Sequence, residues 1–320
     1  MVAGDALRIV FFGTPQFAIP TLERLLGSRH HIVGVVTQPD RPRDRGLRTS
    51  EPPVKILAIS AGVRVLQPHR LKDAPFLTTL SQLETDLGVV AAYGKILTDA
   101  VLATPRLGLI NVHASLLPKY RGAAPVNRAI IQGERETGVT IMRIVKALDA
   151  GPMLTRARRP IGPDETSDQV EQDLATIGAE LLVAAVDELA AGRSNETPQQ
   201  EAEASYAPRL TKEDGNVDWT WPAGRVHNLI RGLHPWPHAF TFLGTKRLIL
   251  RRSHVVADQS SAAQPGTILE AAGDRLLVAA GGGIIHIDEL QAEGGRPMHA
   301  REFLAGHHIP PGGRFISLPS

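Results

Sequence analysis

The chain has 320 residues, with 35 Lys and Arg against 33 Asp and Glu, 42% hydrophobic residues and no cysteine. Without Cys it can form neither disulfides nor a thiolate nucleophile nor a Cys-based zinc centre, and its length exceeds what one core usually serves, so two domains are expected. A formal net charge of +2 does not by itself predict nucleic-acid binding, no apolar run suffices for a bilayer span, and the start has the pattern of neither a signal nor a transit peptide; a cytoplasmic enzyme is expected.

The first elements are short and apolar. Leu7-Arg8-Ile9-Val10-Phe11-Phe12 reads as a buried strand, Gly13-Thr14-Pro15 as a turn, and residues 17–26 as a helix from their apolar spacing. Residues 31–37 predict the next strand, 54–61 a helix, and 87–92 a strand ending at Tyr93-Gly94. Strands alternating with helices predict an α/β domain on a parallel, Rossmann-like sheet. No G-x-G-x-x-G follows the first strand and no G-x-x-x-x-G-K-[ST] occurs, so neither a dinucleotide nor a nucleoside triphosphate is expected. Ahead of the 54–61 helix lies Asp40-Arg41-Pro42-Arg43-Asp44-Arg45-Gly46-Leu47-Arg48, an arginine-rich stretch of loop-like composition.

Residues 107–112 read as another buried strand, and extended geometry puts Asn111 and His113 on one face at its carboxyl end, the edge where open α/β sheets place ligands. Pro118, in Ser115-Leu116-Leu117-Pro118, breaks regular structure and predicts a fixed loop that walls a pocket. Asp149 follows in Leu148-Asp149-Ala150-Gly151-Pro152. Amide, imidazole and carboxylate suffice for acyl transfer without a covalent nucleophile: the first holds a carbonyl oxygen, the second moves a proton, the third orients the imidazole or a water. Alone, an Asn-x-His triplet is more often a turn cap beside a satisfied histidine; what reverses that preference is the resemblance of the whole run from Asn111 to Pro125 to a known family signature.

Residues 153–161 predict a strand, and 167–191 a helix opened by Thr166-Ser167 and closed by Gly192. The polar stretch 193–208, with Pro198, has the composition of a linker. Beyond it, apolar runs at 248–250, 266–269, 275–280 and 283–287 are separated by Gly, Pro and Asp, which predicts an all-β barrel. The expected organisation is a catalytic domain over 1–192, a linker over 193–208 and a barrel of the oligonucleotide-binding type over 209–320. In the barrel, Lys246-Arg247-Leu248-Ile249-Leu250-Arg251-Arg252 would show cations on both faces of a strand, although such a heptad is often only a solvated surface. The adjacent pairs His30-His31 and His307-His308 complete no ligand set, so no metal is expected.

Several motifs together resemble the folate-dependent formyltransferases: Phe12-Gly13-Thr14-Pro15-Gln16-Phe17-Ala18, Thr37-Gln38-Pro39-Asp40-Arg41-Pro42, Ala92-Tyr93-Gly94, the run Asn111 to Pro125, Glu136-Thr137-Gly138-Val139-Thr140-Ile141-Met142 and the Asp149 motif. In the second domain Arg209-Leu210-Thr211-Lys212-Glu213, Asp218-Trp219 and His234-Pro235-Trp236-Pro237 are also similar. The combination resembles the branch of that family that formylates methionine on charged initiator tRNA. One departure is Ala114, where many relatives have glycine; it bears on the loop's backbone angles. The resemblance implies 10-formyltetrahydrofolate as co-substrate and Asn111, His113 and Asp149 as the catalytic set, with Ser115, Leu116, Leu117 and Pro118 against the folate. It also implies tRNA contacts from Arg41, Arg43 and Arg45 of the arginine loop and from Lys246, Arg247, Arg251 and Arg252 of the barrel, with no metal and no membrane. A monomer is expected, since embracing one tRNA gives no need to dimerise. Three rival readings follow from the same residues: a nucleotide-sugar N-formyltransferase, a formyltetrahydrofolate hydrolase and a non-enzymatic RNA-binding protein.

Overall fold

The computed structural model describes residues 5–43, 48–257, 262–310 and 312–317, and no helix among them is long and apolar enough to cross a membrane. The chain forms two compact units that are interleaved in sequence, one of residues 1–123, 137–159 and 171–207, the other of 124–136, 160–170 and 208–320.

The first unit opens with β1 (Arg8–Gly13), α1 (Ile19–Leu26) and β2 (His31–Val36), followed by β3 (Arg41–Arg43) and β4 (Arg48–Ser50). It continues through α2 (Pro53–Ser60), β5 (Val65–Leu66), α3 (Ala74–Ser81), β6 (Leu87–Ala91), α4 (Asp99–Leu102), β7 (Leu109–His113) and β8 (Arg121–Gly122). After α5 (Pro125–Ile131), which belongs to the second unit, come β9 (Glu136–Arg143), β10 (Met153–Pro160), α6 (Ser167–Ala190) and β11 (Tyr206–Ala207). Seven strands make one sheet, ordered β10-β9-β7-β6-β1-β2-β5. Neighbours from β5 to β7 run parallel, as the strand and helix alternation predicts. Beyond them β9 is antiparallel to β7, so the sheet is mixed at that edge; strand direction depends on how the chain returns, which the residues of β9 do not encode.

Burial follows position in the sheet. Ile9, Val10, Phe11 and Phe12 of β1 are all 0% exposed, the continuous apolar run of a strand covered on both faces. One face packs Val10, Phe12, Val36, Leu80, Val90 and Tyr93 into a common core. The helix expected at 17–26 starts as a 3-10 turn over Gln16–Ala18 and becomes α1 with Pro20 in its first turn, where a missing N–H breaks no helical bond. Within the arginine-rich stretch, the described residues depart from the loop reading, because β3 and β4 pair antiparallel, Arg41 opposite Ser50 and Arg43 opposite Arg48; residues 44–47 lie outside the described residues. The segment 193–208 is bound along its length: Thr197 bridges to Met153, and β11 pairs parallel with β8.

In the second unit α7 (Ala223–Gly232) precedes β12 (Ala239–Leu243), β13 (Lys246–Ala257), β14 (Ile268–Ala272), β15 (Arg275–Ala279), β16 (Ile284–Ala292), β17 (Met298–His299), α8 (Ala300–Gly306) and β18 (Phe315–Ile316). The strands form an antiparallel sheet in the order β14-β15-β16-β13-β12-β18, with β17 on β16. Bulges between β13 and β16 are the device by which such a sheet curves. The β domain expected for this part of the chain is present as this curved antiparallel sheet, and helices α5, α7 and α8 belong to the same unit. Helix α7 places Val226, Leu229, Ile230 and, just beyond its end, Leu233 in the core, the i, i+3, i+4, i+7 stripe of an amphipathic helix. Interleaved His227 and Arg231 are buried too. The Arg231 guanidinium donates to the carbonyls of Gly162 and Glu165 at 3.0 Å, which holds residues 160–170 in this unit. Helix α5 is held likewise: Asn127 donates to the Gly232 carbonyl, and Arg128 pairs with both oxygens of Asp214.

Candidate active site

Strand β7 lies between β6 and β9, with Asn111 opposite Val90 and Met142, and it ends at His113 opposite Thr140. Alternation along the strand puts the half-buried Asn111 and the buried His113 on one face. His113 Nε2 lies 3.0 Å from the Tyr120 carbonyl. That oxygen can only accept, so Nε2 carries the donated proton and Nδ1 is the nitrogen presented to Asp149, whose Oδ2 is 3.8 Å away. This separation exceeds a hydrogen bond and falls within ion-pair reach.

Asp149 sits on the connection between β9 and β10 with φ of 46°, in the left-handed region that a non-glycine residue holds only when its surroundings fix it. Its Oδ2 accepts the Gly122 backbone N–H at 2.8 Å. Gly122 has φ of 120° and lies so close to β11 that a Cβ would meet the Ala207 carbonyl at 2.7 Å; only glycine fits there. His113 and Asp149 therefore come together within the first unit, with Asn111 on the same strand face as His113.

The loop after β7 is fixed by Thr140 of β9, whose hydroxyl donates to the Ser115 carbonyl at 2.7 Å and accepts the Leu117 N–H at 3.1 Å. Ser115 Oγ donates to the Lys119 carbonyl. Among the four residues expected against folate, Ser115, Leu117 and Pro118 are buried and Leu116 is half-buried. The fixed loop read from Pro118 is thus present, with the serine hydroxyl engaged inside it. Sequence reasoning missed the buried Arg121 and its contacts with Gln199 and Glu201 of the 193–208 segment.

The basic candidates fare unequally. Arg41 is exposed and donates to Gln38 Oε1. Arg43 lies on β3, whereas Arg45 falls outside the described residues. In the second unit Lys246 and Arg252 are exposed, and the Arg247 guanidinium stacks over Phe240 at 4.0 Å. Arg251 is bound to Glu289 at 2.8 Å and to His238 Nε2 at 3.0 Å, and Arg252 lies 3.9 Å from the same carboxylate. No acid interrupts the heptad in sequence, yet β16 supplies one across the ladder, so the patch is partly neutralised. Burial, with the Arg251 charge beside it, pushes the His238 imidazole down to about 4; burial likewise lowers His234 and His227.

Among the described residues, one group with metal-ligating chemistry comes together, His254, His286 and Asp288 of β13 and β16, with ligand atoms within 4.8 Å of one another. The adjacent histidine pairs did not point to it, because it is assembled by strand pairing of His254 with His286. Its contacts are those of a carboxylate shared by two imidazoles, at 2.6 Å from His286 Nδ1 and 3.0 Å from His254 Nδ1.

A largely parallel α/β sheet with this amide, imidazole and carboxylate, together with an antiparallel β unit, defines a formyl transferase: residues 7–186 match the family described as formyl transferase, and 209–308 its C-terminal domain. The full chain is 48% identical to the methionyl-tRNA formyltransferase of Caldanaerobacter subterraneus over 96% of its own length and 99% of the relative's. It is 46% identical to that of Geotalea uraniireducens over 96% and 97%. The chain belongs to the methionyl-tRNA formyltransferase family. Its fold is also that of an N-formyltransferase from Helicobacter canadensis crystallised with folinic acid and dTDP-3-aminofucose, at a TM-score of 0.69 and 17% identity over 88% of this chain and 98% of that one.

Proposed function

We propose that the protein transfers the formyl group of 10-formyltetrahydrofolate to the amino group of methionine on charged initiator tRNA, with Asn111, His113 and Asp149 as the reacting set. The observation that carries the acceptor is identity of 43–48% with methionyl-tRNA formyltransferases across both units, because the chemistry of the first unit alone would serve any amine. In this reading the methionine nitrogen attacks the formyl carbon, and the Asn111 amide donates to the oxygen as negative charge develops on it. The new C–N bond forms, the bond to N10 of the folate breaks, and the proton lost by the amine is the one N10 gains, so protons balance. His113 relays that proton through Nδ1, since Nε2 is held by the Tyr120 carbonyl. Asp149 stands near enough to stabilise the imidazole while it carries charge.

The loop 115–118 supplies the folate wall, which fits a flat heterocycle in offering the half-buried Leu116 side chain and a rigid backbone. Arg41 of the first unit and Lys246 and Arg252 of the second are exposed cations that would serve as phosphate contacts for the tRNA. Incubation with 10-formyltetrahydrofolate and either charged initiator tRNA or an amino sugar nucleotide tests the proposal. Formylation of the charged tRNA is expected, with affinity falling steeply as salt rises because phosphate contacts release counterions; formylation of the sugar nucleotide alone overturns it.

A further inference from the structure

We infer that Gln199 is a positioning residue for Asp149, acting from the segment that the sequence presents as a linker; this rests on the reading of Asp149 as part of the reacting set. The Arg121 guanidinium is 2% exposed. Its Nη1 donates to both carboxylate oxygens of Glu201, at 3.0 and 2.9 Å, and its Nε and Nη2 both donate to Gln199 Oε1, at 3.1 and 3.0 Å. Two guanidinium donors on one amide oxygen leave no choice of amide orientation. Gln199 Nε2 must therefore face the other way, and there it donates both hydrogens, to the Asp149 carbonyl at 2.8 Å and the Gly151 carbonyl at 2.7 Å.

Those two carbonyls flank Ala150 and fix the backbone that carries the carboxylate. Asp149 needs such fixing, because its left-handed φ is a conformation that a non-glycine residue leaves when nothing holds it. On the other side Gly151 lies against β9, where a Cβ would stand 1.9 Å from the Arg143 carbonyl, so the connection is gripped between Gln199 and β9. The carboxylate itself is held by the N–H of Gly122, the residue next to Arg121. A closed circuit results: Asp149 carboxylate to Gly122, along the chain to Arg121, through its guanidinium to Gln199, and back to the Asp149 carbonyl. The buried cation fixes the amide, and the amide fixes the aspartate. Glu201, mostly exposed, compensates the charge.

The test compares Gln199→Ala, Gln199→Glu, Asp149→Asn and the double variant Asp149→Asn/Gln199→Glu, with charged initiator tRNA and 10-formyltetrahydrofolate. Gln199→Glu keeps an acceptor for Arg121 and loses the two donated hydrogens, so it separates positioning from folding should Gln199→Ala be poorly folded. Expected for Gln199→Glu is a fall in kcat of about ten- to a hundredfold, the scale on which a misplaced reacting group loses rate, with both KM values and the melting temperature near wild type. In the Asp149→Asn background the same change should add no further loss, since a residue that works through the carboxylate has nothing left to position. Wild-type kcat in Gln199→Glu overturns the inference, as does an equal loss in both backgrounds. Wild-type kcat in Asp149→Asn alone overturns the reading of Asp149 and the inference with it.

Discussion

A single carbonyl, that of Tyr120, determines which nitrogen of His113 is available for chemistry, and the residue that offers it has φ of 61°. If Asn111 donates to the oxyanion, Asn111→Ala should lower turnover by roughly two to three orders of magnitude, the scale measured for removal of one such donor. His113→Ala should cost about two to four orders, as for a general acid or base. Both variants should keep wild-type circular dichroism, and near-normal turnover in either purified protein would remove that residue from the reacting set. That Asn111 and His113 share a face was legible because a strand's alternation relates residues two apart, whereas Asp149 was singled out only because its motif resembles a family's. Arg121 and Gln199 were not, since nothing near either one states that residues 78 positions apart meet under a third; local pattern carries local geometry only.

Among elements, the arginine-rich stretch shows how composition misleads: its prolines argued for a loop, yet residues 41–43 pair with 48–50 as strands β3 and β4. Arg45 lies outside the described residues. Arg45→Ala should weaken productive binding of charged initiator tRNA by roughly 1–3 kcal/mol, the range for one important nucleic-acid contact, with folate affinity unchanged; titration of both ligands decides, and equal tRNA kinetics would eliminate the contact. Helix α7 is the opposite case, for its apolar stripe was present in the sequence but diluted by buried His227 and Arg231, which local reasoning counts as surface. Its closing Gly232 touches α5, where an added Cβ would lie 2.7 Å from Ile131 Cγ1 and 3.2 Å from the Asn127 carbonyl. Gly232→Ala should therefore destabilise the fold by about 1–3 kcal/mol, as overpacking does, read as a lower urea midpoint.

For the molecule as a whole, acid should loosen the second unit before it reaches the carboxylates. His227, His234 and His238 are all lowered by burial, the last from 6.5 to about 4. Unfolding frees them to bind protons, so the unfolded chain holds more protons between those values and stability falls as pH falls through that window, with the full contribution present above it. Carboxylates such as Asp86, lowered by the Arg8 backbone N–H, act only below their ordinary 3.8. A urea midpoint lower at pH 5 than at pH 7.5 is expected, and His238→Asn, which suits the residue's φ of 68°, should reduce the difference; equal midpoints for the wild type would contradict it. The two-unit organisation was legible from the change in composition near residue 209, but the interleaving was not, because it depends on which unit buries α5 and residues 160–170. That interleaving has a consequence for synthesis on the ribosome. Residues 124–136 and 160–170 emerge well before helix α7, which packs on them through Gly232, His227 and Arg231, and at about 5–20 residues per second they wait on the order of ten seconds with Ile131 and its neighbours uncovered. Nascent chains stalled between residue 170 and residue 208 should thus be the form of this protein most dependent on chaperones.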